Sequence, residues 1–114
     1  MKSILVFSNG EKIGDGIIKL PLLNELKRRL PNHHLCWMTD QGDTVYTSTL
    51  KSISSNYIDK FYEKVNLNYF FSNKISNKYE LEKEYFDIIF DTQKSVFRTL
   101  TLKKIKHNTF ISGA

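Results

Sequence analysis

The chain has 114 residues, 40% of them hydrophobic and 13% aromatic, which is enough for one packed core. No apolar run approaches the roughly 18 residues of a membrane span, and the run from Ile4 to Phe7 is too short for a signal-peptide core, so we expect a cytoplasmic protein. The net charge of +5 suggests an anionic partner only weakly, because its basic residues are spread along most of the chain.

The first predicted unit is a strand followed by a helix. Four consecutive apolar residues from Ile4 to Phe7 indicate a strand that is buried on both faces. The helix is indicated by residues that recur every fourth position, namely Ile18, Leu22, Leu26 and Leu30. Pro21 lies either in the first turn of this helix or at a kink, and Pro31 closes it.

Four more strands are predicted after this unit. They are indicated by the apolar runs Leu35 to Met38, Ile58 to Tyr62 and Phe86 to Phe90, and by the pair Phe110 and Ile111. The only cysteine, Cys36, lies in the first of these runs and is expected to be a small buried hydrophobe.

The segments between the strands predict helices of lower regularity. Residues 44–53 indicate a modest helix with Val45, Thr49 and Ile53 on one side, and residues 79–84 a short helix after a variable surface segment. The helix after the fourth strand carries Val96, Leu100 and Ile105. A basic cluster at its end is explained more simply by a solvated helix end than by an anion site; it consists of Lys103, Lys104, Lys106 and His107.

Alternating strands and helices predict an α/β fold, a Rossmann-like doubly wound parallel sheet in a single domain. In the expected strand order 3-2-1-4-5, the connections leave strands one and four in opposite directions, and ligands of such sheets bind at the carboxyl ends of the strands at that point. This places Gly10 to Gly16 and Asp91 to Gln93 at one candidate site.

The glycine spacing of this loop matches neither the dinucleotide fingerprint nor the phosphate loop, so nucleotide binding there is disfavoured. The spacing does place Asp15 between Gly14 and Gly16 at a helix N-terminus, where the helix dipole favours the charged carboxylate. Capping alone is the simpler explanation of Asp15, and of Asp91 as well. Gln93 adds a side chain that can hydrogen-bond a sugar hydroxyl.

Two segments of the chain resemble one family. Residues 13–31 contain Gly14-Asp15, Leu20-Pro21, a leucine-rich helix and a closing proline, and residues 85–93 form an apolar run that ends in Asp91-Thr92-Gln93. In this order the motifs resemble heptosyltransferases, the lipopolysaccharide-core glycosyltransferases with a GT-B fold. The resemblance covers essentially the whole chain and is strongest at residues 3–31 and 85–98.

The resemblance implies inverting transfer of a heptose, or a related sugar, from a nucleotide-sugar donor to a lipopolysaccharide-core acceptor. Asp15 would then be the general base that takes the proton of the attacking hydroxyl. Gly14 and Gly16 would let the substrate approach closely, and Lys12, Asp91 and Gln93 would be further substrate contacts. The family needs no metal, and no cofactor is expected.

In a GT-B enzyme a carboxyl-terminal domain holds most of the donor nucleotide. We therefore expect residues 1–114 to be the N-terminal acceptor-binding half, inactive alone, with the donor-binding half absent or supplied by a partner chain. A fragment, a split enzyme and a truncated reading frame remain open. The resemblance also allows peripheral contact with the inner face of the inner membrane.

Three other functions can be considered for this sequence: metal binding, nucleic-acid binding and protein interaction. His33 and His34 are adjacent strand residues that would point to opposite faces, so no metal site is expected. Lysines interleaved with aromatic residues between 60 and 79 resemble a nucleic-acid stacking surface, but such aromatics more often belong to a core, and no nucleic-acid partner is expected. A non-catalytic interaction module that pairs with another chain remains an alternative to the enzyme.

Overall fold

A single parallel sheet organises the chain in a computed structural model, which describes residues 2–8, 13–39, 44–47, 50–63, 65, 84–92, 99, 102, 103 and 105–112, with only the backbone at 13–16 and 45. The elements are β1 (Ser3–Phe7), α1 (Ile13–Arg29), β2 (His34–Met38), a 3-10 turn (Val45–Thr47), α2 (Lys51–Ser54), β3 (Lys60–Tyr62), β4 (Tyr85–Asp91) and β5 (Lys106–Ser112). The five strands lie in the order β3-β2-β1-β4-β5, and every pairing is parallel. The predicted fold class and strand order are confirmed.

The runs Ile4 to Phe7 of β1 and Leu35 to Met38 of β2 are apolar throughout because the sheet is covered on both faces. In β1, Ile4 and Val6 belong to the cluster under α1, whereas Leu5 and Phe7 belong to the cluster on the opposite face. The same alternation continues in β2, where Trp37 faces α1 and is fully buried. Successive strand residues point to opposite sides, so a run without polar residues is what burial on both faces requires.

Helix α1 packs on the sheet through a face that differs in part from the predicted stripe. Leu23 is fully buried and Leu26 nearly so, while Leu22 and Leu30 are half-buried against the same cluster. Ile18, which the four-residue spacing placed on the buried face, is 75% exposed. That prediction was wrong at its first position, because at this end of α1 the residue that packs against the cluster is Leu20 and not Ile18.

The ends of α1 also correct the sequence analysis. The helix begins at Ile13, so Gly14, Asp15 and Gly16 lie in its first turn and not in a preceding loop. Pro21 is therefore inside the helix, well past the first turn, where it removes one backbone hydrogen bond. The helix ends at Arg29, two residues before Pro31. Its last turn contains three basic residues, which are stabilising there because the C-terminal end of the helix dipole is negative.

The segment after β2 is not the single helix that residues 44–53 predicted. It contains the 3-10 turn and the four-residue α2. The buried positions are Thr44, Tyr46, Leu50 and Ser54, and Ile53, which was predicted to share one side with Val45 and Thr49, is 41% exposed. Tyr46 decides this face, because its ring stands edge-on to Trp37 with the ring centroids 4.9 Å apart.

The last third of the chain is described only in part. Leu102 and Ile105 are fully buried, and Ile105 precedes β5 and does not lie in a helix. Lys106 and His107 are the first residues of β5, so the helix-end explanation of the basic cluster is wrong for these two. Of the predicted helix at 79–84 only Glu84 is described, and it does not lie in a helix. Of the variable segment at 65–78 only Val65 is described, and it is fully buried, while Val96 and Leu100 lie outside the described residues.

The structure bears on two further predictions, one about Cys36 and one about membrane spans. Cys36 is buried as expected, and burial raises the pKa of its thiol to about 12, so the side chain is an unreactive hydrophobe at neutral pH. Within the described ranges, the helices are too short or too polar to cross a bilayer.

Candidate functional site

A layer of buried polar residues closes the carboxyl ends of the three central strands. Ser8 follows β1, Thr39 follows β2 and Asp91 ends β4, and each side chain is at most 2% exposed. Polar groups in such a position must find hydrogen-bond partners, because leaving one unpaired would cost about 1–3 kcal/mol. The sheet therefore ends in an ordered polar floor under the predicted ligand crevice.

Backbone bonds fix the three strand ends to one another. Phe7 of β1 is in register with Asp91 of β4. Thr92 then donates twice to the Phe7 carbonyl, from its backbone N–H at 3.1 Å and from its hydroxyl at 2.7 Å. On the other side, the Ser8 N–H donates to the Met38 carbonyl at 2.9 Å. The chain segments that continue from β1 and β4 thus leave the sheet at neighbouring points.

Three of the predicted site residues lie where the chain returns from this edge. The backbone of Gly14, Asp15 and Gly16 forms the first turn of α1, which follows β1. The first turn of a helix has unpaired N–H groups and a positive dipole end, so it favours an ionised carboxylate and the approach of polar substrate groups. Lys12 and Gln93 lie outside the described residues, so their substrate contacts stay predictions.

Asp91 is placed at the predicted edge, but it is largely enclosed. Its carboxylate accepts a hydrogen bond from the Thr99 hydroxyl, which belongs to the helical region after β4. This bond ties the segment after β4 to the end of the strand. A substrate contact at Asp91 stays a prediction, and the geometry gives this residue a structural role in the floor of the site.

Lys19 is a residue at this edge that the sequence analysis missed. It lies in α1 one helical turn after Asp15, and its ammonium group donates to the Ser8 hydroxyl at 2.5 Å. Its spacing of four residues from Asp15 was the available signal, because such positions share one side of a helix. Ser8 and Thr39 were also missed, and each is a hydroxyl residue that directly follows a predicted strand.

A concave region lies at the opposite, amino-terminal edge of the sheet. It is a groove of about 390 Å³ lined by Lys27, Pro31, Asn32, His33, His34 and Asp59. Lys27 donates to the Asp59 carboxylate at 2.9 Å, and the Leu35 N–H donates to the same oxygen at 2.8 Å. Although burial opposes its ionisation, these two donors keep the pKa of Asp59 below its usual value.

Another pair at this edge crosses the start of β1. His33 Nε2 lies 3.1 Å from Asp87 Oδ2, which joins the chain before β2 to β4 on the far side of β1. The bond from His33 outweighs the opposing effect of burial and keeps the pKa of Asp87 below its usual value. Lys27, Asp59 and Asp87 are thus engaged in contacts that join parts of the fold, so the groove is a weaker candidate than the carboxyl edge.

A metal centre finds no support in the part of the chain that the structure describes. No group of three or more histidine, cysteine, aspartate or glutamate side chains there has the geometry to hold an ion. His33 precedes β2 and His34 begins it, and the His33 ring is engaged with Asp87.

The fold was compared with known proteins. It is similar to the crystal structure of the glycosyl transferase family 9 protein from Veillonella parvula DSM 2008, with a TM-score of 0.61 and 19% identity. The match covers 97% of this chain and 32% of that one, so the chain spans about a third of that protein's length. At this identity the likeness shows a glycosyltransferase family 9-like fold. No protein-family profile and no curated protein matches the sequence.

Proposed function

We propose that this chain is the acceptor-binding half of an inverting heptosyltransferase that acts on a lipopolysaccharide-core acceptor. The observation that carries the proposal is the convergence of the β1 and β4 ends, joined by Thr92 and Phe7, with α1 held to the end of β1 by Lys19 and Ser8. Asp15 lies one helical turn before Lys19 in α1. The glycosyltransferase family 9-like fold supports the same class of reaction. The motif order in residues 13–31 and 85–93 supports the choice of a heptose.

In the proposed reaction, the Asp15 carboxylate takes the proton of an acceptor hydroxyl while that oxygen attacks the anomeric carbon of the donor sugar. The new bond joins the acceptor oxygen to this carbon, and the bond from the carbon to the diphosphate oxygen of the donor breaks. The nucleotide leaves with the bonding electrons, and the anomeric configuration inverts. A base in this position must be ionised, which the first turn of α1 favours.

The glycines on either side of Asp15 fit the same role. Gly14 and Gly16 have no side chain beyond the backbone, so a sugar can reach the first turn of α1 closely. Glycine is a weak helix former, so its presence on both sides of one residue of α1 calls for a reason beyond helix formation. Close approach of a substrate supplies that reason.

A binding measurement with the isolated chain tests the acceptor half. The ¹⁵N-labelled chain is titrated with lipopolysaccharide-core oligosaccharide, and its amide resonances are followed by NMR. We expect shifts at Ser8, Gly14, Gly16 and Thr92, with those of α2 unchanged. A folded chain that shows no shift with the acceptor would contradict the proposal.

A transfer assay tests the chemistry. A nucleotide-activated heptose and the acceptor are incubated with the chain alone and with the chain joined to the donor-binding half of a heptosyltransferase. We expect transfer only in the joined protein, and Asp15→Asn to lower its kcat about 10²- to 10⁴-fold. Glu25→Gln on the same helix is the matched control and should leave kcat unchanged. Equal activity of the Asp15 and Glu25 variants would remove Asp15 from the base role.

A second function, a non-catalytic interaction module, is favoured by one specific feature. Ile17 and Ile18 lie side by side on α1 and are 52% and 75% exposed. Large apolar side chains that are adjacent and exposed often mark a protein contact. Light scattering of the chain and of an Ile17→Ser, Ile18→Ser variant tests this function. If both proteins are monomers and neither retains a partner in a pull-down, this function is excluded.

A further inference from the structure

Four cations of α1 differ in what they contact. Lys27 pairs with Asp59, while Arg28 and Arg29 both pair with Glu25. Lys19 differs from these three because its ammonium group is held at the end of a strand. It donates to the hydroxyl of Ser8.

The position of this ammonium group is fixed from both sides. Lys19 is half-buried in α1, and Ser8 is fully buried at the end of β1. The Ser8 backbone is held in turn by the Met38 carbonyl of β2. The ammonium group therefore lies at the carboxyl edge of the sheet and retains donors beyond the one given to Ser8, since a lysine has three.

We infer that Lys19 binds an anionic group of the acceptor, a carboxylate or a phosphate, and selects acidic acceptors over neutral ones. The inference rests on the proposed function, because it places the acceptor at the first turns of α1. Residues 15 and 19 are one helical turn apart on one side of α1, with about 5–6 Å between Cβ atoms. One acceptor molecule can therefore contact both Asp15 and Lys19 when its anionic group lies within a few ångströms of the reacting hydroxyl.

Charge at this position acts on binding, and the proton transfer remains with Asp15. A half-buried ammonium is screened less by salt than the exposed arginines at the other end of α1. It also forms stronger hydrogen bonds to an anion than to a neutral hydroxyl. Lys19 is accordingly a specificity residue, and its loss should raise the Kd for the acceptor.

The test compares three forms of one core oligosaccharide: intact, with its carboxyl groups reduced to alcohols, and with its phosphates removed. Binding of each form to the wild-type chain, to Lys19→Met and to Lys19→Arg is measured by calorimetry. Lys51→Met is the matched control, because Lys51 is an exposed lysine of α2. Unfolding curves of all four proteins establish that each is folded.

We expect Lys19→Met to bind the intact acceptor about tenfold or more weakly, and Lys19→Arg to restore much of the affinity. The wild type should lose the same factor when the recognised anion is removed, and that form should then bind wild type and Lys19→Met equally. The form that causes the loss identifies the carboxylate or the phosphate.

Two results would overturn the inference. One is equal affinity of wild type and Lys19→Met for the intact acceptor, and the other is a wild type that does not distinguish acidic from neutral forms. Either result leaves the proposed function standing, because the acceptor still binds. A wild-type chain that binds none of the three forms would instead remove the proposed function itself.

Discussion

The two edges of the sheet use polar residues in different ways. At the amino-terminal edge, side chains on the surface pair with one another: Lys27 with Asp59, and His33 with Asp87. At the carboxyl edge, the polar residues at the strand ends are buried, and they bond mainly to the backbone and to the helices that follow.

The difference is between charged side chains that join two parts of the fold and a charged side chain that can also contact a ligand. Each of these two pairs joins two segments of the fold, so the groove at that edge has no strong claim to a ligand. At the carboxyl edge, Asp91 and Ser8 support the strand ends from below, and the ammonium of Lys19 is held among them. A concave shape is therefore a weaker guide to a site in this molecule than the partners of its charges.

The largest expected effect on folding concerns Asp91 at the carboxyl edge. Asp91→Ala removes a buried carboxylate that accepts from Thr99, and we expect the free energy of unfolding to fall by about 2 kcal/mol. Urea unfolding measures it. Asp91→Asn keeps an acceptor oxygen and should lose less. A variant as stable as the wild type would show that the floor of the site is not structural.

Asp59 at the amino-terminal edge should have a smaller effect. Asp59→Ala removes the acceptor of the Leu35 N–H together with the partner of Lys27, and we expect a loss of about 1 kcal/mol, because the carboxylate is partly exposed. Lys27→Met removes only the ion pair and serves as the control. If both variants lose equal stability, the backbone bond from Leu35 contributes nothing.

Acid should weaken the amino-terminal edge. The pKa values of Asp59 and Asp87 are lower in the folded chain than in the unfolded one, so near pH 4 the unfolded state binds more protons. Their contribution is therefore present above about pH 5 and is lost as the pH falls below about 4. Urea midpoints between about pH 7 and pH 3 should fall less in an Asp59→Asn, Asp87→Asn variant. If the urea midpoints of the wild type and the variant fall by the same amount, Asp59 and Asp87 do not cause the loss of stability in acid.

The smallest effect is expected at Glu25 on the outer surface of α1. The guanidinium groups of Arg28 and then Arg29 lower the pKa of Glu25 to about 2, but all three side chains are well exposed. Exposed pairs of this kind contribute little because water and salt screen them. Glu25→Gln should leave the thermal unfolding midpoint unchanged within error. A clear decrease would mean that the surface pairs of α1 are as structural as those at the sheet edge.

Much of the fold was predictable from local patterns. Uninterrupted apolar runs such as Ile4 to Phe7 identified the strands, and their alternation with helices implied the parallel sheet and its order. The prediction for α1 failed at Ile18, because Leu20 packs against the core cluster in its place. The prediction for residues 44–53 chose the wrong side, because the ring of Tyr46 packs against Trp37. Periodicity indicates which residues share a side, and only packing decides which side is covered.

The candidate site divides in the same way. The sequence by itself determined the α/β class and placed Asp15 and Asp91 after adjacent strands, because strand order follows from connectivity and handedness. Only the tertiary structure showed that Asp91 is enclosed by Thr99 and that Lys19 reaches Ser8 across eleven residues of sequence. Contacts of this kind depend on the distance between a helix and a strand end, and no local pattern contains that distance.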